Sequence, residues 1–236
     1  MKERPILFNT AMVQAILAGR KTQTRRLVPE WQLPHKTHDG TRFISVAQRD
    51  PRWGFGLFGE TAETCMDNYN KEYRSLCPFG RIGQRLWVRE TFQGPLIDQG
   101  GDYPDGYEKP EFCVYAADGV PRPEFTTVDD ETVCRWRPSI HMPRWACRII
   151  LEITNVRVER LQDITESDAV AEGCQPIELD REDDCGNGWT EYWYAGGFRK
   201  LWESINSPES WSSNPWVWVV DFKVLTTNGK VPEVAA

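Results

Sequence analysis

The segment 144–161, RWACRIILEITNVRVERL, most constrains the fold. It alternates and is dense in β-branched residues, which predicts a long strand or hairpin arm running to about Arg160. Trp216 to Val224, WVWVVDFKV, reads as a second, buried strand, and Arg85 to Glu90 and Pro5 to Phe8 as shorter ones. Helices are few. Asn9 or Thr10 can cap one whose Met12, Val13, Ile16 and Leu17 share a face before Gly19 ends it. Thr165-Glu166-Ser167-Asp168 has the cap and acidic first turn of a short helix that stops at Gly173. Phe198, Leu201, Trp202 and Ile205 mark an amphipathic helix over about 191–206. Several strands, few helices and long irregular stretches predict an α+β fold, either a compact barrel or an open sheet with helices on its rim.

The irregular stretches organise the chain. Residues 28–80, 92–135 and 174–190 are rich in Gly, Pro, Asn and Asp and read as insertions into one domain over 1–225, with a flexible tail over 226–236. Charge follows the same division. Residues 92–132 hold 10 acids against 2 bases, net −8, and residues 176–191 hold 6 acids against Arg181, net −5; solvated loops are expected in both. Residues 1–60 hold 10 bases against 5 acids, net +5, and residues 133–160 hold 6 Arg against 2 Glu, net +4. The whole-chain charge of −7 therefore does not exclude a nucleic-acid partner. With 236 residues the chain is long enough for a substantial core. No apolar run reaches the roughly 18 residues of a membrane span. Seven Cys without regular spacing, and an N-terminus lacking an apolar stretch, read as a cytoplasmic protein with free thiols. Of 11 Trp, Trp87, Trp145, Trp202, Trp216 and Trp218 are expected to face a core, whereas Trp31, Trp53, Trp189, Trp193 and Trp211 lie in or near insertions.

Candidate chemistry concentrates in Ile16 to Arg26, ILAGRKTQTRR, where a helix stop is followed at once by Lys21, two Thr and further Arg. Strand alternation would point Lys21 and Gln23 one way and Thr22, Thr24 and Arg26 the other. A solvated basic strand edge explains the same residues. His35 and His38 with Cys65 and Cys77 have no standard zinc spacing, and no metal or cofactor is expected. Phosphate-loop, dinucleotide and nucleophile-elbow motifs are absent, and GFGLFG at 54–59 lacks the strand and helix context of a phosphate loop.

The spacing Gly19-x-Lys21-x-x-Thr24-x-Arg26 resembles the signature of the ASCH domain, a relative of the PUA fold, with Thr where most members carry Glu. The run ILAGRKTQT is similar to small bacterial ASCH enzymes that deacetylate N4-acetylcytidine, and ITESDAVAEG offers Glu172 at their third catalytic position. CPFGRIGQRLWVRET, WRPSIHMPRWACRI and NPWVWVVDF are similar to longer phage-borne ASCH proteins. The resemblance implies a small PUA-like β-barrel and an amidohydrolase acting on a modified cytidine-type nucleoside. Thr24 would be the nucleophile, Lys21 its activator and Glu172 the acid/base. Arg20 and Arg26 beside Lys21, together with Trp87, Arg89, Glu90, Ser139, His141 and Arg144, are the candidate substrate-binding residues; an aromatic ring can stack a base and an Arg can grip phosphate. Trp87 in an alternating strand is more readily explained as core, and Glu172 equally as a helix-end carboxylate that pairs an Arg. Two other functions stay open: a non-catalytic module binding RNA or modified DNA, and a metal-independent ribonuclease.

Overall fold

The computed structural model describes residues 2–47, 55–96, 106–126, 131–183, 185 and 188–230. Its strands are β1 (Glu3–Leu7), β2 (Gln23–Leu27), β3 (His35–Lys36), β4 (Phe43–Val46), β5 (Gly56–Gly59), β6 (Arg85–Arg89), β7 (Phe92–Gln93), β8 (Val114–Tyr115), β9 (Glu124–Thr126), β10 (Thr132–Cys134), β11 (Ile150–Arg160), β12 (Ile177–Glu182), β13 (Gly188–Trp193) and β14 (Trp216–Thr226). Its α-helices are α1 (Thr10–Leu17), α2 (Ala62–Lys71), α3 (Glu166–Ala171), α4 (Tyr194–Asn206) and α5 (Glu209–Ser212). The fold is α+β. Its principal sheet has five strands in the order β1-β6-β11-β14-β2. That order is open: among the described residues β1 and β2 are edges, and no closed barrel forms. The chain divides into two compact units, one from segments 1–19, 83–153 and 222–236, the other from 20–82 and 154–221.

In the first unit β1 runs parallel to β6, from Glu3 opposite Arg85 to Leu7 opposite Arg89. The start of β11 pairs antiparallel on the other side of β6, with Ile150 opposite Trp87. The pleat sends Leu86 and Val88 into the core, both fully buried, and leaves Arg85, Trp87 and Arg89 on a half-buried face. Helix α1 begins where expected: Asn9 Oδ1 accepts from the Met12 amide at 2.9 Å, and Gly19 at φ +70° ends the turn. Residues expected as an unstructured insertion over 92–135 instead supply the β7–β8 pair and the β9–β10 hairpin. Phe92, Tyr115, Met142, Ala146, Cys147 and Ile150 pack there as one core cluster. These strands are two or three residues long, too short to show a period in the sequence.

In the second unit β14 pairs antiparallel with β2, from Val217 opposite Leu27 to Asp221 opposite Gln23. Residues 28–80, also expected to be irregular, hold a β3-β4-β5 sheet with α2 against it. Gly59 makes that contact possible, because a Cβ there would lie 2.3 Å from the Cys65 amide nitrogen. GFGLFG is thus a strand from Gly56 to Gly59, with Gly54 and Trp53 outside the described residues. Tyr69 of α2 meets the fully buried Trp218 edge-on at 5.3 Å, and Trp218 Nε1 donates to Gln32 Oε1 at 3.0 Å. Helix α3 carries the expected cap, with Thr165 and Asp168 each bonding the other's backbone amide. Glu166 accepts from the amides of Tyr194 and Ala195 at 2.8 and 3.1 Å, closing the N-terminus of α4. That helix starts at Tyr194, later than the periodicity implies, because Gly188–Trp193 pairs with Ile177–Glu182. The acidic stretch expected as a loop is therefore a hairpin, exposed along nearly its whole length.

Candidate functional site

Helix α1 stops at Gly19, and the chain then enters β2, whose middle is covered by α3 and whose neighbour is β14. Thr22 fixes the approach, its amide donating to the Ala171 carbonyl at 2.7 Å. This brings Lys21 beside Glu172, at the C-cap of α3. Lys21 is fully buried and Glu172 is 4% exposed. Lys21 Nζ donates to Glu172 Oε2 at 2.5 Å, to the Glu172 carbonyl at 2.9 Å and to the Gln23 carbonyl at 2.8 Å. Its three N–H bonds each have an acceptor, which is the geometry of a held ammonium. Glu172 Oε1 is buried without a hydrogen-bond partner; Arg25 Nη1 lies 3.5 Å from it.

Around this pair lies a larger ionic network that the sequence reading missed. Arg25 meets Glu159 at 2.6 Å and Asp168 at 3.3 Å, and donates to Gln23 Oε1 at 2.5 Å. Gln23 Nε2 donates to Asp168 at 2.9 Å and Asp221 at 2.6 Å. Arg157 bridges Glu159, Asp168 and Asp221 at 2.7, 2.9 and 3.3 Å. Burial alone would raise the Asp168 carboxyl, but hydrogen bonds from Gln23 and Thr165 and the charges of Arg157 and Arg25 bring it well below the usual carboxylate range. Burial pushes the adjacent Cys174 thiol up to about 12, reinforced by the Glu172 charge. A thiol so shifted is a packing residue and not a nucleophile. Asn155, Arg157 and Glu159 recur at every second position of β11, so a polar stripe inside the strongest predicted strand was the available signal.

Thr24 is buried at 2% and sits opposite Val220. By strand alternation it projects with Arg26 from the face opposite Gln23 and Arg25. Burial lowers the Arg26 guanidinium from its ordinary value, and the Glu172 charge opposes that shift. Arg20 is exposed, with Nη1 3.5 Å from the Gly173 carbonyl. Arg25 is not a solvated basic edge, since its side chain is fully buried among carboxylates and its guanidinium lies 5.6 Å from the Phe198 ring centre.

The other six candidates belong to the first unit. Arg89 donates to the Ile140 carbonyl and stands 5.5 Å from the Trp87 ring centre, on the half-buried face of β6. Ser139 and His141 open and close a single 3₁₀ turn, and Arg144 pairs with Glu3 at 2.8 Å. Glu90 is 1% exposed and takes two bonds from Arg148 at 3.0 Å each, which accounts for it as a buried structural carboxylate. Trp202, Trp216 and Trp218 are core as expected, and Trp87 and Trp145, though half-buried, pack against the core cluster around Phe92 and Ile150. No family model, curated protein or solved structure matches the chain.

Proposed function

We propose that this protein is a PUA-like hydrolase that removes the acyl group from an N-acylated cytidine-type nucleoside or nucleotide. The observation that carries the chemistry is Glu172: one carboxylate oxygen is fixed by the Lys21 ammonium, and the other is buried without a hydrogen-bond partner. A carboxylate so held has an open acceptor for a proton in transfer. The substrate class rests on the resemblance of Gly19 to Arg26 and of the segment around Glu172. In the proposed reaction the cluster opens so that the Thr24 hydroxyl, on the β2 face opposite Arg25, adds to the amide carbon, and its proton passes to Glu172 Oε1 by way of water admitted with the substrate. Glu172 returns that proton to the departing exocyclic nitrogen as the carbon–nitrogen bond breaks. Water then adds to the Thr24 ester with Glu172 taking its proton, and Glu172 returns that proton to the Thr24 oxygen as the ester bond breaks and the carboxylic acid leaves. Lys21 serves as the ammonium that orients Glu172 rather than as a neutral base. Substrate entry requires the cluster to open, since Lys21, Thr24 and Glu172 are all buried.

The test is chromatographic release of cytidine from N4-acetylcytidine. Thr24→Ala is expected to abolish turnover with a melting temperature close to the parent, and Thr24→Ser to restore part of it. Glu172→Gln is expected to abolish turnover too but to melt lower, because the buried Lys21 ammonium loses its counter-charge. Full turnover in both Thr24→Ala and Glu172→Gln would overturn the reading. A second reading, binding of RNA without chemistry, is favoured by Arg85, Trp87 and Arg89 sharing one half-buried face of β6. It predicts salt-dependent RNA binding that weakens in Trp87→Ala and Arg89→Glu, with no deacylation by the parent protein.

A further inference from the structure

The first unit contains a cavity of about 420 Å³ that shares no residue with the Lys21–Glu172 cluster. This is within the range of about 300–1,000 Å³ typical of small-molecule sites. Its walls come from three separated segments: Lys109, Pro110 and Tyr115, then Arg148, then the turn carrying Asn228 and Lys230. We propose that this cavity binds a small phosphorylated molecule with a planar ring, of the size of a nucleoside monophosphate.

The walls are held in place without a ligand. Tyr115 Oη lies 3.1 Å from the Pro110 carbonyl and 2.9 Å from that of Ala146. The Arg148 guanidinium stands 3.9 Å above the Tyr115 ring centre, fixed by Glu90 and by Asp118 at 2.8 Å. Those carboxylates take three hydrogen bonds from its five N–H groups, so Arg148 presents a rigid plane with donor capacity to spare. The Arg148 carbonyl accepts from the Gly229 amide at 2.8 Å, which ties the C-terminal turn to the same residue. Gly229 has φ +78°, and a Cβ there would meet Pro110 Cγ at 2.8 Å, so only glycine lets this turn close against Pro110. Within the turn, Asn228 Oδ1 accepts from Thr226 Oγ1 and the Lys230 amide, which leaves its Nδ2 as a donor.

The charge selects the ligand. Lys109 and Lys230 add two ammonium groups, against the half-exposed Glu111, 3.8 Å from Lys109. Lys109 is one of two bases among the ten acids of residues 92–132, and it stands at this cavity. Two point charges match a phosphate, and the flat surfaces of Pro110 and of the Arg148 guanidinium, which the buried Tyr115 ring backs from behind, match a ring.

Thermal melting with adenosine 5′-monophosphate, adenosine and inorganic phosphate as probes tests this. At a concentration about tenfold above Kd, the monophosphate is expected to raise Tm by about 3–5 °C. Adenosine is expected to give no comparable rise, and inorganic phosphate a smaller one. Lys109→Glu/Lys230→Glu, which alters two surface ammonium groups, should melt like the parent in buffer and lose the response. Glu172→Gln should keep it, which separates this site from the proposed catalytic one. No shift with the monophosphate, an equal shift with adenosine, or a response that survives the double charge reversal overturns the proposal.

Discussion

Lys21 and Glu172 define the residue scale. A lysine with no exposed surface, bonded to a carboxylate, satisfies each charge only through the other. Removing one partner leaves the second charge buried and uncompensated, at a cost of about 3–5 kcal/mol. Lys21→Met is therefore expected to lose stability in that range by urea denaturation, and Lys21→Met/Glu172→Leu to regain a large part of it; a double variant no more stable than the single would refute the desolvated pair. Thiols offer a second check at this scale. Cys134 and Cys185 are exposed, whereas Cys65, Cys77, Cys147 and Cys174 are buried, and burial pushes the Cys147 thiol up to about 11. Iodoacetamide at mildly alkaline pH followed by mass mapping should label Cys134 and Cys185 and spare those four in the folded protein.

At the scale of elements, α3 works as a short arm with its cap at one end and Glu172 at the other. The Thr165 cap is worth about 1 kcal/mol, so Thr165→Ala should lower stability by that amount and, under the proposed reaction, reduce kcat through Glu172 without touching it. Calorimetry and steady-state kinetics on the same preparation check both. Of the elements of eight residues or more, α1, β11, β14 and most of α4 lie where alternation or helical spacing puts them, whereas α2, whose buried stripe is only Cys65, Met66 and Tyr69, falls in the stretch read as irregular. The cap on α3 was legible too, because Thr165 and Asp168 satisfy each other locally. What was not legible is held together over long sequence distances. The strands of β3 to β10 outside β6 are short and gain their partners from tertiary contact, and Arg25 reads as a surface base until β11 and α3 supply Glu159 and Asp168. Lys21 and Glu172 were named from resemblance; only the three-dimensional structure shows their contact, 151 residues apart in sequence.

For the molecule as a whole, pH links the network to stability. Asp168 has a folded pKa below its unfolded value, so its contribution is present above about pH 4 and is lost as pH falls through the folded value. Glu90 has the opposite sign: burial raises its folded pKa, so stability from this group declines as pH rises through the carboxylate range. Urea midpoints measured between about pH 3 and 6 should fall toward acid. Asp168→Asn should flatten that fall, and Glu90→Gln should steepen it. Steeper acid loss in Asp168→Asn would reverse the assignment.

The interleaving of the two units has a consequence for synthesis. Each needs residues from β14, and β14 is the strand that joins β11 to β2. While the ribosome is still translating, both neighbours have emerged with open backbone edges and nothing to fill the gap between them. Neither unit can finish before β14 has emerged, so folding waits for Trp216–Thr226, and the slow closure of distant contacts sets its pace. Truncation before Trp216 would then yield a chain that aggregates or recruits chaperones, not a smaller folded protein.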